Sequence, residues 1–333
     1  MTTQHDLHRH IVEAAQLAPS VHNTQPWRFT SDIGGLDLWA DPGRRLPVLD
    51  PDGRQLHLSC GAALLNARVA ARALGLDADV QLLPDSGDPT HLARLSLTAG
   101  RPATTQEQAL AEAMLRRHTQ REAFEERPLP DALLDRLRMA AEREGAVLRP
   151  VTDPADLIEL EVLLALADRA EEADPAYRAE VATWVRPTTD EDGIPAGALP
   201  RDAERVSSLR LRDFQVRDRA ESAGSPAADM EPPVAERPAV VVLLSADDTP
   251  VSWLQAGQAL GAVLLGAAEE GVLAQPLGQV TDLPVFRRRL AAVLGLLGTA
   301  QLALRMGYST AVASTARRDV DDVLDARGRD TGG

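Results

Sequence analysis

The chain has 333 residues, of which 26% are charged and 44% hydrophobic, with a net charge of -15. That length suits about two domains or one large one with a substantial core, and the acidic balance speaks against a nucleic-acid partner, because phosphate backbones need a basic footprint. All 35 basic residues are arginine and Cys60 is the single cysteine, which excludes a Schiff-base lysine, a P-loop lysine, an internal disulfide framework and a cysteine zinc cluster.

In chain order, the first ten residues carry His5, Asp6, His8 and His10 and no apolar core, so no secretory signal is expected. Leu7, Ile11, Ala14, Ala15 and Ala18 have helical spacing, and Pro19 ends that helix. A dense polar loop, Pro19 to Trp27, leads into a strand. Leu36 to Ala40 reads as a short strand, and Asp41-Pro42-Gly43 and Asp50-Pro51-Asp52-Gly53 as turns. Ser59 is the expected N-cap of a nearly all-apolar helix that runs to Leu74, with Gly75 as its stop. Val80 to Leu83 and Leu92 to Leu97 read as strands. Helices are predicted for 106–118, 131–143 and 153–172. Residues 173–236 are rich in Pro, Gly and charge, with one amphipathic helix near 203–219. The stretch is too long for an ordinary connection, so it reads as a lid or mobile insertion. Val240 to Ser245 is a buried strand, and a second apolar helix runs from Val251 to Glu270, stopped by Gly271. No uncharged apolar run is read as reaching about 18 residues, so no membrane span is expected and the protein is placed in the cytoplasm.

The two apolar helices match one another. A shift of 196 residues aligns Gly61 with Gly257, Ala63 with Ala259, Leu64 with Leu260 and Gly75 with Gly271. Each is followed by an edge-like strand, 92–97 and 302–306. Shared composition accounts for this, or else the chain holds two related halves about a pseudo-twofold axis.

Two stretches carry the chemistry. The loop Pro19 to Trp27 packs two hydroxyls, an imidazole and the amides of Asn23 and Gln25 into nine residues. Such a loop can serve a heteroaromatic ring, or it can be an Asx-type loop anchored by Trp27. Arg116-Arg117-His118-Thr119-Gln120-Arg121 can clamp a phosphate through charge-assisted hydrogen bonds, or form a solvated basic face. His57 and His91 lack ligand-like spacing and read as structural, and Cys60 reads as buried and inert.

The run Ala18-Pro19-Ser20-Val21-His22-Asn23-Thr24-Gln25-Pro26-Trp27-Arg28-Phe29 resembles the APSxxNxQPWxF signature of the flavin-dependent nitroreductase superfamily. With His before Asn it is similar to the Acg branch, whose members are single chains resembling a fused nitroreductase dimer. The resemblance covers most of the chain and is weakest over 173–236. It implies an α+β fold of two related halves, 1–105 and 106–333, each with a small antiparallel sheet and a central buried helix. The lid insertion at 173–236 belongs to the second half.

The same resemblance implies FMN as cofactor, held by Pro19, Ser20, Val21, Asn23 and Gln25 of the loop. Arg117, Thr119 and Arg121 fall on the family's Arg-Arg-Ser-x-Arg pattern, with His118 standing where it has its second Arg. Gln275, Pro276, Leu277 and Gly278 match the loop that offers a backbone N–H beside the flavin ring. Pro276 has no N–H, so the donor would be Leu277 or Gly278. Arg317 and Arg318 resemble the C-terminal basic pair that completes the phosphate site.

Only one loop and one clamp are present, which implies one functional and one degenerate flavin site per pseudo-dimeric chain, further dimerisation being open. The implied activity is hydride transfer from NAD(P)H through FMN to a small electron acceptor, with no side-chain acid or base required. The alternative is a non-catalytic FMN-binding or sequestering protein, its flavin covered by the lid with Tyr177, Trp184 and Phe214 available to lie over the ring.

Overall fold

The computed structural model describes residues 3–188, 191–199, 212, 236–310 and 314–326. Helix α1, Gln4–Gln16, starts ahead of the apolar periodicity because Thr3 and Asp6 form a capping box, the Thr3 hydroxyl accepting from the Asp6 N–H at 3.1 Å. Its buried face carries Ile11, Val12 and Ala15. Strands β1 (Trp27–Asp32) and β2 (Gly35–Ala40) form a hairpin, followed by α2 (Arg54–Ala73), β3 (Leu76–Leu82) and β4 (His91–Ala99).

Helix α2 begins five residues before Ser59. The Asp50 carboxylate accepts from the N–H groups of Gln55 and Leu56, both at 2.9 Å, and so caps the helix from the preceding turn. Ser59 is therefore internal, its hydroxyl donating to the Gln55 carbonyl at 2.7 Å. Gly75, at φ 80, closes the far end as expected.

Helices α3 (Thr105–Arg116) and α4 (Asp131–Arg143), strand β5 (Val147–Val151) and helix α5 (Pro154–Ala173) follow. Within 173–236 the described residues form α6 (Pro175–Ala182) and the short parallel pair β6 (Val185–Arg186) and β7 (Ile194–Pro195). The helix expected near 203–219, with Phe214, lies outside the described residues apart from Arg212. Strand β8 (Ala239–Ser245), helix α7 (Pro250–Glu269), β9 (Val272–Pro276), α8 (Gln279–Asp282), α9 (Pro284–Val293), β10 (Thr299–Tyr308) and β11 (Leu324–Ala326) complete the order.

The strands build two main sheets, in the orders β11-β1-β2-β4-β3 and β5-β8-β10-β9. The second is antiparallel throughout. The first is mixed, because β11 returns from the far end of the chain to lie parallel to β1, a pairing that no hairpin makes. Strands β4 and β10, expected to be edge-like, are interior strands. In β8, Val240, Val242 and Leu244 pack towards α5 and α9, while Val241 and Leu243 pack towards α4 and α7. Burial on both faces explains its continuous apolar run.

Helix α7 corrects one expectation. It is long and apolar enough to cross a membrane by length and composition, because Ser252, Gln255 and Gln258 interrupt its apolar residues without adding charge. It is nevertheless mostly buried inside the protein, packed along α2. Gly61 and Gly257 face each other at that contact. A Cβ on Gly61 would lie 2.3 Å from the Leu254 carbonyl oxygen, and one on Gly257 would lie 2.2 Å from that of Leu58. Leu58 and Leu254 are themselves 196 residues apart, so the two close contacts are reciprocal.

Candidate functional site

Where Pro19 stops α1, the chain turns through three residues in the left-handed region: His22 (φ 47), Asn23 (φ 55) and Gln25 (φ 48). Such non-glycine conformations persist only where surrounding contacts hold them. Here the Ser20 hydroxyl accepts from the Gln25 N–H at 2.9 Å, and the Ser59 hydroxyl accepts from the Val21 N–H at 3.1 Å.

Asn23 and Gln25 are engaged by the protein itself. The Asn23 amide donates to the carbonyls of Gly193 (3.0 Å) and Ala316 (3.1 Å), and its Oδ1 accepts from Arg317 (3.1 Å). The Gln25 amide donates to the Glu191 carbonyl at 2.7 Å, and its Oε1 accepts from the Arg318 N–H at 2.9 Å. The two side chains tie the loop to residues 191–193 and 316–318 and do not line the cavity beside it.

That cavity, about 120 Å³, lies between the loop, the first turns of α2 and the end of β9. Pro19, Ser20, Val21, Thr119, Arg121, Gln275, Pro276 and Gly278 line it, all of them residues singled out in the sequence. The second stretch reaches it by strand extension: Thr119 pairs in parallel with Ala274, and the Gln120 N–H donates to the Ala274 carbonyl at 3.0 Å. Residues 117–121 and 275–278, far apart in sequence, thereby run side by side.

Leu277 and Gly278 are separated by the fold. Leu277 is 1% exposed, and its N–H donates to the Ala303 carbonyl at 2.8 Å. The Gly278 N–H makes no hydrogen bond to another described residue and lies at the cavity. A Cβ at Gly278 would come within 2.8 Å of the Asp282 carboxylate.

Arg117, Arg121 and Arg317 form a cationic cluster, of which Arg121 lines the cavity, whereas Arg117 is not in its lining and Arg317 borders a separate surface pocket with Arg9 and Arg318. Among the described residues none of the three has a carboxylate within ion-pairing distance. Burial, reinforced by Arg317 and Arg121, pushes the Arg117 guanidinium down to about 9. Burial lowers Arg121 to about 10 and Arg317 to about 10. All three stay charged at neutral pH.

Carbonyls at the C-terminal end of α1 supply partial compensation. Arg317 donates to Gln16 (2.7 Å) and Ala18 (3.2 Å), and Arg117 to Leu17 (3.3 Å). Arg117 Nε and Arg121 Nη1 are buried with no hydrogen-bond partner among the described residues. A cluster of this kind is chemically suited to a phosphate. Arg318 stands apart, 3.9 Å from Asp41, and the half-buried His118 is not part of the cavity lining.

Residues not singled out in the sequence complete the walls, among them Ile194, Arg212, Gln55, Leu58 and Asp282. Arg212 is held by Glu171 (2.7 Å) and Asp282 (2.7 Å), and Asp282 also pairs with Arg54 at 3.2 Å. The aromatic cover expected of Tyr177 is absent: its ring packs with Leu46, Leu49 and Val181, and its hydroxyl donates to Glu171 at 3.1 Å. No sequence signal marks Arg212, whose partners lie 41 and 70 residues away.

The remaining candidates are structural. His57 bonds the Gly53 carbonyl at 2.6 Å, and His91 meets Asp37 at 2.9 Å while stacking on Trp39. Cys60 is fully buried, and burial pushes its thiol up. Among the described residues no group of His, Cys, Asp and Glu could hold a metal ion.

No family model matches the chain. It is 32% identical over 336 residues to the Mycobacterium tuberculosis protein named "Putative NAD(P)H nitroreductase acg", covering 98% of this chain and 97% of that protein. A second M. tuberculosis protein, also named as a putative NAD(P)H nitroreductase, is 32% identical over 322 residues, with 95% and 90% covered. Among solved structures, an FMN and NADPH-dependent nitroreductase from Sphigopyxis sp. strain HMH aligns with 66% of this chain and 99% of its own, at 19% identity and a TM-score of 0.38. A nitroreductase with bound FMN from Desulfitobacterium hafniense aligns with 65% and 96%, at 13% identity and a TM-score of 0.39.

Proposed function

The chain belongs to the Acg branch of the nitroreductase superfamily, and from that premise we propose that it is an FMN-dependent oxidoreductase taking hydride from NAD(P)H and passing it to a small electron acceptor. The observation that carries this reading is the cluster of Arg117, Arg121 and Arg317, charged, packed into the protein and without a carboxylate partner among the described residues. Holding three such cations together is costly unless an anion completes the site, and the phosphate of FMN suits it. Bound FMN supplies the hydride chemistry.

The chain's own residues bind and orient. Arg121 takes the phosphate, with Thr119 beside it, while Arg117 and Arg317, set back from the cavity lining, add positive charge behind it. Ser20 and Ser59 hold the loop in its strained course. The Gly278 N–H is the one backbone donor of the pair 277–278 still available to the flavin ring, where it would favour negative charge. No side-chain acid or base is assigned.

The division into halves 1–105 and 106–333 belongs to the same proposal, as does a cytoplasmic setting. The reciprocal Gly61 and Gly257 contacts support two related halves. On this view one loop and one clamp form a single working site in a pseudo-dimeric chain, its counterpart having lost both.

One observation favours a second reading, that the protein holds FMN without turnover. At about 120 Å³ the cavity is smaller than the roughly 300–1,000 Å³ of ordinary ligand sites. Ile194 and the ion-paired Arg212 border it. Purified protein should be yellow and release close to one FMN per chain; none, or two, would refute the site count. Stopped-flow mixing with NADH and NADPH then separates the readings, since bleaching of the flavin band is expected of an oxidoreductase and not of a holder.

A further inference from the structure

Gln275 lies on β9 immediately before Pro276 and borders the cavity. Its amide has one permitted orientation. Arg305 Nε donates to Gln275 Oε1 at 2.8 Å, and a guanidinium has no acceptor, so the oxygen must face Arg305. The Nε2 group is turned the other way and makes no hydrogen bond to another described residue.

The group that imposes this orientation is itself held firmly. Arg305 is fully buried. Its Nη1 donates to both carboxylate oxygens of Glu236, at 3.0 and 2.9 Å, and its Nη2 donates to the Glu122 carbonyl at 2.9 Å. The Phe124 ring lies 4.8 Å from the guanidinium. A buried ion pair is a weak source of stability, since well-packed apolar residues of similar volume often serve as well. What this pair does that an apolar pair could not is fix the direction of one amide at the cavity wall.

Resting on the flavin reading above, we propose that Gln275 is a hydrogen-bond donor to the flavin ring, that Arg305 and Glu236 are its positioning residues, and that the arrangement favours the reduced cofactor. Reduction makes the ring's acceptor atoms more electron-rich, and a donor bonds a charged acceptor more strongly than a neutral one. The preference is built into the donor's fixed direction, so no proton need leave the protein.

The test is the affinity of the full chain for oxidised FMN and for FMN reduced anaerobically, together with the midpoint potential of the bound cofactor. Gln275→Leu should weaken binding of reduced FMN about tenfold more than binding of oxidised FMN, a fall of about 30 mV for a two-electron couple. Gln275→Glu keeps an acceptor for Arg305 but offers no donor, and should lower the potential further. The paired replacement Arg305→Met with Glu236→Leu touches no flavin, yet should move the potential in the same direction because the amide is released to flip.

A Gln275→Leu protein that binds FMN with unchanged potential overturns the assignment of Gln275. A shifted Gln275→Leu protein beside an unshifted, folded double variant overturns the positioning role alone. Should the double variant not fold, Gln275→Leu still decides the donor, and Arg305→Lys, which keeps the charge while moving the donor off Oε1, decides the positioning. A parent chain that binds no flavin at all refutes the function proposed above, and this assignment with it.

Discussion

Replacing Arg121 by methionine should move two properties in opposite directions. In the protein without ligand, Arg121 is a cation packed near Arg117 that, among the described residues, has no carboxylate partner and no hydrogen bond to its buried Nη1. Methionine keeps most of the length and removes the charge. The stability gained is on the order of 1 kcal/mol after allowing for screening of a part-exposed group, or about 1–2 °C in a chain of this length. FMN binding should suffer, because the lost hydrogen bond to a charged oxygen is worth about 1.5–3 kcal/mol, which corresponds to a roughly 10- to 150-fold rise in Kd. Riboflavin, which lacks the phosphate, should bind the variant and the parent alike. Thermal unfolding without ligand and fluorescence titration with the two flavins measure these effects. A ligand-free variant less stable than the parent, with equal affinity losses for FMN and riboflavin, would mean that Arg121 is a structural residue and that the phosphate assignment is wrong.

Burial, with Arg212 and Arg121 nearby, lowers His22 to about 3. The unfolded chain therefore takes up a proton there first, and stability should fall as pH drops below about 6.5, by about 2 kcal/mol at pH 5. His22→Asn, which tolerates the left-handed backbone, should show a shallower decline of Tm between pH 6.5 and 5; an identical decline would remove His22 as its source. Gly61→Ala and Gly257→Ala each force a Cβ within 2.3 Å of a backbone oxygen, and should cost at least the about 1–3 kcal/mol of ordinary overpacking. Gly197→Ala, with nothing within 4 Å, should stay within about 0.5 kcal/mol in the same denaturant titration. Cys60, fully buried with its thiol pushed up, should resist a thiol reagent in the native protein and react at the rate of unfolding; rapid labelling would place it in an accessible site.

By itself the sequence determined whatever depends on residues a few positions apart. Helix stops at Gly75 and Gly271, the doubly buried strand at Val240 to Ser245, the structural roles of His57, His91 and Cys60, and the membership carried by Ala18 to Phe29 were all legible in it. It also named eight of the residues that line the cavity. Local misreadings arose where two signals competed. Ser59 is a good cap by type, but Asp50 reaches the helix start first, and neutral Ser and Gln residues concealed the length of the apolar run in α7.

Tertiary structure alone decided which polar groups remain available. The Leu277 N–H is taken by Ala303, the amides of Asn23 and Gln25 by segments more than 150 residues away, and Gln275 Oε1 by Arg305. The grouping of Arg117, Arg121 and Arg317 without a carboxylate partner among the described residues is likewise invisible in a chain with 50 acidic residues. A residue's type states which hydrogen bonds and ion pairs it can make. Whether a partner 30 or 300 residues distant has already taken them depends on how the two sheets and α2 and α7 bring those segments together.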